Sequence, residues 1–429
     1  MFSFKKAAAG VLSCTMLLGS LAISGCSDSN TSGTQSTDNT SNGSSTAHQG
    51  EIKDISSVEL VKDMKIGWSL GNTLDGGNES NRGQDPGSIE KSWGNPDTTK
   101  EMIDEIKKAG FNVLRVPTTW DWSTGEAPEY KISDEWFARV KEIVDYGMEN
   151  DMYVILNIHH ETWHDPLEKN YEEASDRLKK IWTQIGNYFK DYDEHLIFEG
   201  LNEPRVRNSD EEWNGGSDAT REVVNKLDAD FVSTIRSLDG NNKFRHLMIP
   251  GYAASSSEVA LKALKIPEND DKLIVSVHAY IPYNFALADN KRSNKWVACK
   301  EGFTNDIDNL ADMLKTLFTD KGQAVIIGEF GARSKDNEKY RAEWAKYYVT
   351  KMKTVGVPCV WWDNGAFIGS GELFGLFDRR NLEWRYPLLK DALISASNGE
   401  YTVDGLKSDT AILDELKKDI AQSKNSSAE

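Results

Sequence analysis

The stretch YVILNIHHETWHDP, Tyr153–Pro166, admits two readings that lead to different proteins. Inside it, His160-Glu161-Thr162-Trp163-His164 spells H-E-x-x-H. In zinc proteases that spacing sets two imidazoles one turn apart on a helix, with the glutamate as general base. The residues before it, Tyr153–Ile158, are apolar and β-prone, which suits a buried strand. Pro166 disfavours helix at Asp165, so a helix carrying both His160 and His164 would have about one turn. The stretch therefore reads as a strand running into a loop, with an accidental metalloprotease spacing and no metal or other cofactor expected. His159, outside the motif, and His160 become polar residues at the end of a strand.

Similar runs recur on both sides. MKIGWSLGN, NVLRVPTTW, YVILNIHH, HLIFEGLNEP, HLMIPGY, LIVSVHAY, QAVIIGEFG and VPCVWWDNG begin near Met64, Asn112, Tyr153, His195, His246, Leu273, Gln323 and Val357. Amphipathic segments separate them. In TTKEMIDEIKKAG, Thr98 and Glu101 have capping-box spacing, Ile103 and Ile106 share a face, and Gly110 is the stop. In SDEWFARVKEIVDYGMEND, Phe137, Val140, Val144 and Met148 fall on one face, with Asn150 as cap. Eight strand–helix units with both strand faces apolar imply an α/β fold with parallel strands, a (β/α)8 TIM barrel. No G-x-G-x-x-G follows the first strand, so a nucleotide-binding open sheet loses support.

The strand C-terminal ends are not core types. They carry Arg115, His159 with His160, Asn202 with Glu203, His278 with Tyr280, Glu329, and Trp361, Trp362 and Asn364. In a barrel these positions ring one mouth. Any single one could be a satisfied polar terminus, but burying so many without a function is costly. Glu203 and Glu329 lie on strands four and seven, facing across the barrel. Retaining glycoside hydrolysis needs two carboxyl groups about 5–5.5 Å apart, one an acid and one a nucleophile. Arg115 and Tyr280 would keep Glu329 ionised, and the apolar LIFEGL run would hold Glu203 protonated with His278 near it. Asn202 would hydrogen-bond a sugar hydroxyl.

GWSLGNTLD, WGNP, LRVPTTW, NIHH, LNEP, HAY, GEFG and WWDNG, in this order from Gly67 to Gly365, resemble glycoside hydrolase family 5, the cellulase family. The resemblance implies Glu203 as acid/base, Glu329 as nucleophile, and Arg115, His159, His160, Asn202, His278 and Tyr280 as supporting residues. It implies a tryptophan flooring the reacting sugar, Trp361 or Trp362, with Trp362 favoured because it leads into Asp363-Asn364-Gly365. WGNP and WWDNG look most like subfamily 4, endo-β-1,4-glucanases that often accept mixed-linkage glucan and xyloglucan. Mannanases share this machinery, so the catalytic set does not identify the sugar. Trp68, Asn72, Trp120, Trp122, Trp163 and Asn364 are candidate cleft residues, with core packing the alternative for each tryptophan.

The ends of the chain bear on location. Lys5 and Lys6 precede an apolar run, then Ile23-Ser24-Gly25-Cys26, which resembles a bacterial lipobox. The expected division is a lipoprotein signal peptide over 1–25, lipidated Cys26 with a Ser/Thr/Asn-rich tether over 26–50, the catalytic domain over 51–398, and a tail over 399–429, frayed or forming a short helix from Asp409 to Ser423. This implies an exported, membrane-anchored cell-surface protein, expected as a monomer. Cys299 and Cys359 have no C-x-x-C spacing, and no disulfide is expected. A net charge of −18 makes nucleic acid and anionic lipid poor partners and leaves a neutral polymer open. Thirteen tryptophans exceed what the core needs and suit sugar faces. A glycan-binding lipoprotein without turnover is the competing reading, although no catalytic group is missing for it.

Overall fold

The computed structural model describes residues 48–289, 291–414 and 416–418. The expected export signal, Cys26 and the expected tether up to residue 47 lie outside the described residues. Strands β1 (Ile66–Leu70), β2 (Val113–Val116), β3 (Tyr153–Asn157), β4 (Leu196–Glu199), β5 (Leu247–Ser255), β6 (Leu273–His278), β7 (Ala324–Phe330) and β8 (Cys359–Asp363) form a closed parallel barrel, with β8 pairing back to β1. Strand residues are buried on both faces, because helices cover the outside and side chains fill the inside.

Alternation along each strand sorts these residues into two layers. Val113, Tyr153, Ile155, Ile197, Met248, Ile274, Ile326 and Val360 point inward and cluster with Leu60 and Val61. The last two belong to the helix Ser57–Asp63, which carries a Ser56/Glu59 capping box and lies against the strand N-termini through Ser57 and His246. Leu114, Val116, Val154, Leu156, Phe198, Val275 and Ile327 point outward to the helices. The floor of the barrel is thus apolar, and its polar inward residues collect at the other end, the mouth.

One strand breaks the alternation. Pairing of β6 with β7 runs from Val277↔Ile327 to His278↔Glu329, so β7 carries one extra residue there. From inward Ile326, strict alternation would turn Glu329 out among the helices. The bulge turns it inward, the local re-aiming that bulges produce. Gly328 makes this possible, since a Cβ there would lie 2.8 Å from Ser276 Oγ and 3.2 Å from His278 Nε2.

The helix expected after Asp97 starts one residue later than the capping-box spacing implies. Thr99 is the N-cap of Lys100–Ala109 and makes no side-chain cap bond. Thr98 N donates instead to Glu90 Oε1, so this residue ties the loop rather than the helix. Gly110 closes the helix at φ 114°, and Asn150 caps Asp134–Glu149. In the tail, Val403–Ser408 forms a helix not anticipated from its sequence, and 411–414 and 416–418 are helical. Leu406 and Leu416 are buried, and Lys407 pairs with Asp308 at 2.8 Å. Cys299 and Cys359 are free thiols, the latter in the core.

Candidate active site

The centre of the mouth is a buried arginine. Arg115 Nε donates to Glu199 Oε2 at 2.8 Å, Nη1 to Glu329 Oε1 at 2.6 Å and Nη2 to Asn202 Oδ1 at 2.7 Å. The rigid fork of one guanidinium thereby sets the relative positions of strands β2, β4 and β7. Burial disfavours its charge, but Glu199 and Glu329 more than offset that and hold it protonated. Glu199 is itself saturated, accepting also from Asn157 Nδ2 at 3.0 Å and Ser276 Oγ at 2.7 Å.

Glu329 completes its shell with the Tyr280 hydroxyl, which donates to Oε2 at 2.8 Å. Burial and the Glu329 charge push the Tyr280 phenol well above its ordinary value, so it stays a donor. Opposite stands Glu203. Its Oε1 lies 2.9 Å from His278 Nδ1 and its Oε2 3.3 Å from Arg205 Nη1. His278 Nδ1 is also 3.6 Å from Glu329 Oε2. Carboxylate oxygens of Glu203 and Glu329 approach within 4.8 Å of each other.

The proton between these groups is not where the apolar flank of Glu203 alone would put it. Burial raises the Glu203 carboxyl, but the hydrogen bond and charge of His278, then Arg205 and Arg115, outweigh it and lower it below its ordinary value. His278 is disfavoured by burial, yet Glu329 and Glu203 raise it. Between the two titrations the pair holds one proton, drawn toward the imidazole. The expectation of a protonated Glu203 is corrected accordingly.

Two acidic groups at this spacing, at the ends of β4 and β7, coincide with a family match. The description "Cellulase (glycosyl hydrolase family 5)" fits residues 77–367, more than half of the chain. The chain belongs to glycosyl hydrolase family 5. Endoglucanase B of Neocallimastix patriciarum is 49% identical over 347 residues, covering 80% of this chain and 72% of that protein. Endoglucanase A of Ruminococcus albus is 44% identical over 353 residues, covering 81% and 94%. Among solved structures, a subfamily 4 broad-specificity endoglucanase from Ruminococcus champanellensis with bound cellotriose superposes with TM-score 0.77 at 43% identity, covering 80% of this chain and 99% of that one.

Around the carboxylates, this family 5 site is walled by aromatic and imidazole rings. Trp362 stacks parallel to His159, with ring centroids 5.8 Å apart and planes 5° apart. Gly71 lies against it, and a Cβ there would come within 2.7 Å of the indole. His159 Nδ1 meets Asn157 Nδ2 at 3.0 Å, and burial, then His160 and Arg115, hold its pKa well below 6.5. His160 is pushed down to about 4, chiefly by burial, and its ring approaches exposed Trp93 at 5.6 Å. Both imidazoles therefore serve as neutral hydrogen-bonding groups. Residues 160–164 are loop, so His160 and His164 share no helix face.

Several expected cleft residues are placed elsewhere. Trp68, Trp120 and Trp361 have no exposed surface. Trp68 Nε1 donates to Asp363 Oδ2, Trp120 Nε1 to the Asn157 carbonyl, and Trp361 Nε1 to the Phe374 carbonyl. Trp68 shares parity with outward Ile66 and Leu70, and Trp361 with outward Cys359, so both pack under the helices. Asn364 spends its side chain on its own loop, donating to the Glu372 carbonyl and accepting from Ala366 and Phe374 amides. Asn72 stands at the mouth with φ 55°, its carbonyl taken by Asn95. Trp163 packs under Arg177, and Trp122 lines a cavity of about 600 Å³ with Arg82 over its ring at 5.3 Å.

Glu199, Asn157, Ser276 and Arg205 did not stand out in the sequence. Glu199 had a readable signal: an acid inside the apolar run LIFEG, four residues before Glu203. Its inward parity with Ile197 places it directly beneath the mouth. Arg205 had none, because its role depends on the loop folding back to Glu203.

Proposed function

We propose that this family 5 chain is an endo-acting β-1,4-glucanase that works with retention of configuration. Glu329 attacks the anomeric carbon while Glu203 gives its proton to the leaving oxygen. The glycosidic C–O bond breaks as the Glu329 ester forms. Water then attacks that carbon, Glu203 takes the water's proton, and the ester bond to Glu329 breaks. The approach of the two carboxylates to within 4.8 Å carries this reading, because inversion needs roughly 6.5–9.5 Å to admit a water. Arg115 and Tyr280 hold Glu329 in position with both oxygens engaged. His278 keeps the working proton beside Glu203. When a sugar excludes water from the mouth, the separated charges of His278 and Glu203 lose solvation, which favours returning the proton to the carboxyl. Trp362 supplies the apolar floor for the reacting sugar.

Subfamily 4 is the placement this reading favours, supported by broad-specificity endoglucanases and a lichenase from Caldicellulosiruptor sp. F32 at similar identity. Cellulose, mixed-linkage glucan and xyloglucan are the polymers to compare, with mannan as the counter-substrate. Anchoring through lipid on Cys26 belongs to the same proposal, and labelled palmitate incorporation that disappears in Cys26→Ser checks it. Reducing-end release from carboxymethyl cellulose or barley β-glucan should vanish in Glu329→Ala. Undiminished hydrolysis would sink the assignment, since losing the nucleophile should remove several kcal/mol of transition-state stabilisation, on the order of 10³-fold or more in rate.

A further inference from the structure

The closed end of the barrel, opposite the mouth, carries a second cluster of ligating side chains. His48 lies near the start of the described chain, Asp151 in the turn before β3, and His195 immediately before β4. Their ligand atoms lie within 4.8 Å of one another. His48 Nε2 is 3.4 Å and His195 Nε2 3.8 Å from the same oxygen, Asp151 Oδ1. The second distance is beyond hydrogen-bonding range and the first is near its limit. The first matches the roughly 3.3 Å that separates neighbouring ligands around a tetrahedral ion with bonds of about 2.0–2.1 Å, and the second needs to close by about 0.5 Å.

The outer ring of contacts strengthens the case. His48 Nδ1 is 2.8 Å from Asp193 Oδ2, and His195 Nδ1 is 3.1 Å from Asp193 Oδ1. One carboxylate thus takes the Nδ1–H of both rings. That arrangement selects the tautomer in which each Nε2 lone pair faces Asp151, the carboxylate–histidine–metal relation of metal sites. Tyr153 stacks on the His195 ring at 4.7 Å, and the two imidazoles lie 4.3 Å apart. Asp151 and Asp193 place two carboxyl groups beside the two rings, a donor set that suits a cation. Glu194, the other nearby acid, is paired with Lys53 at 2.6 Å, and Lys107 reaches only the Asp151 carbonyl. Two imidazole nitrogens and a carboxylate oxygen suit zinc or a similar divalent transition metal rather than calcium or magnesium.

We propose that His48, Asp151 and His195, backed by Asp193, bind one divalent transition metal ion, zinc by its donor set, at the closed end of the barrel. The ion fastens the start of the folded body. Residues 48–50 already run beside 191–193, with Gly50 N donating to the Asp191 carbonyl and Asp193 N to the His48 carbonyl at 3.0 Å each. A metal bond from His48 to the turns before β3 and β4 would secure this strip against pulling from the N-terminal side. It takes no part in glycan cleavage.

Zinc chloride titrated calorimetrically into the purified, metal-stripped chain tests this. The expected result is one saturable site, an upward shift in Tm that a chelator reverses, and β-glucan hydrolysis unaffected by loading. His48→Gln and Asp151→Asn should each abolish the site while leaving hydrolysis in place, and Asp151→Asn should also keep the metal-free Tm, because Asp151 is 76% exposed. Asp193→Asn should weaken binding 10- to 100-fold. Cobalt chloride should give the intense visible absorption of a low-coordinate ion, lost in His48→Gln. Absence of saturable binding in the micromolar range overturns the proposal. So does binding that persists in His48→Gln and Asp151→Asn, or zinc inhibition of hydrolysis in step with occupancy, which would place the ion on Glu203, His278 and Glu329.

Discussion

Replacing Glu199 by Gln perturbs the site without touching either working carboxyl group. Glu199 accepts three hydrogen bonds, from Arg115 Nε, Asn157 Nδ2 and Ser276 Oγ. Gln has the same shape, and its best orientation keeps the carbonyl toward Arg115 and Asn157. Its amide then faces Ser276, whose hydroxyl can rotate to accept. What is lost is the negative charge beneath Arg115. Removing one partner of a buried ion pair costs about 3–5 kcal/mol. Here the carbonyl still accepts from Arg115 and Glu329 still balances its charge, so about 2–4 kcal/mol is expected. Function should respond as well, because Arg115 is left with Glu329 as its only anionic partner and its pull on that carboxylate is no longer shared. Arg115 then binds the Glu329 carboxylate more tightly and holds it back from attack, so kcat should fall with KM little changed. Thermal unfolding and steady-state kinetics on a soluble β-glucan read both quantities. A Glu199→Gln protein with unchanged Tm and unchanged kcat would refute the claim that this buried acid sets the charge balance of the site.

Four further outcomes follow from the structure. Arg205 lowers the Glu203 carboxyl, so Arg205→Gln should raise it. The shared proton is then kept to higher pH, and the alkaline limb of the kcat/KM profile should move upward. An unmoved or falling limb would refute this. Glu161 is pushed up to about 8, first by burial, with Oε1 accepting from Trp120 N. A carboxyl raised in the fold favours folding while protonated, and that contribution is lost between its unfolded value near 4.5 and about 8. Glu161→Gln should therefore gain Tm relative to the parent as pH rises from 5 to 8, and a constant difference would count against the shift. Trp361→Ala should lower Tm strongly, by a core loss of about 3–5 kcal/mol, while the folded fraction keeps its KM. Trp362→Ala should lower kcat/KM on cello-oligosaccharides out of proportion to its effect on stability.

The barrel was readable because eight apolar runs alternate with amphipathic segments, and parallel strands covered on both faces must be apolar throughout. The catalytic pair was readable because Glu203 and Glu329 end such runs, where a core would not place an acid. Parity was a further signal that sorts Trp362 from Trp361, and Trp68 from the mouth, since Val360 and Ile66 mark the inward and outward faces of their strands. Parity fails at Glu329 itself. Counting by twos from Ile326 turns it outward, and only the bulge at Gly328 brings it to Arg115. The protonation of Glu203 was not legible either. LIFEGL describes its own strand, whereas His278 arrives from β6 and Arg205 from a loop. The His48–Asp151–His195 cluster was equally hidden, as its members are far apart in the chain: β3/β4 pairing brings Asp151 to His195, and His48 arrives from the start of the folded body.

The central claim is that Glu329 becomes covalently bound to the sugar with Glu203 as its acid/base partner. Incubation with a 2-deoxy-2-fluoro cello-oligosaccharyl fluoride, followed by mass spectrometry of proteolytic peptides, tests it directly. One sugar should be found esterified on Glu329, with inactivation at the same rate as labelling. Labelling of another carboxylate, or turnover with no trapped ester and an initial α-anomer product, would contradict it.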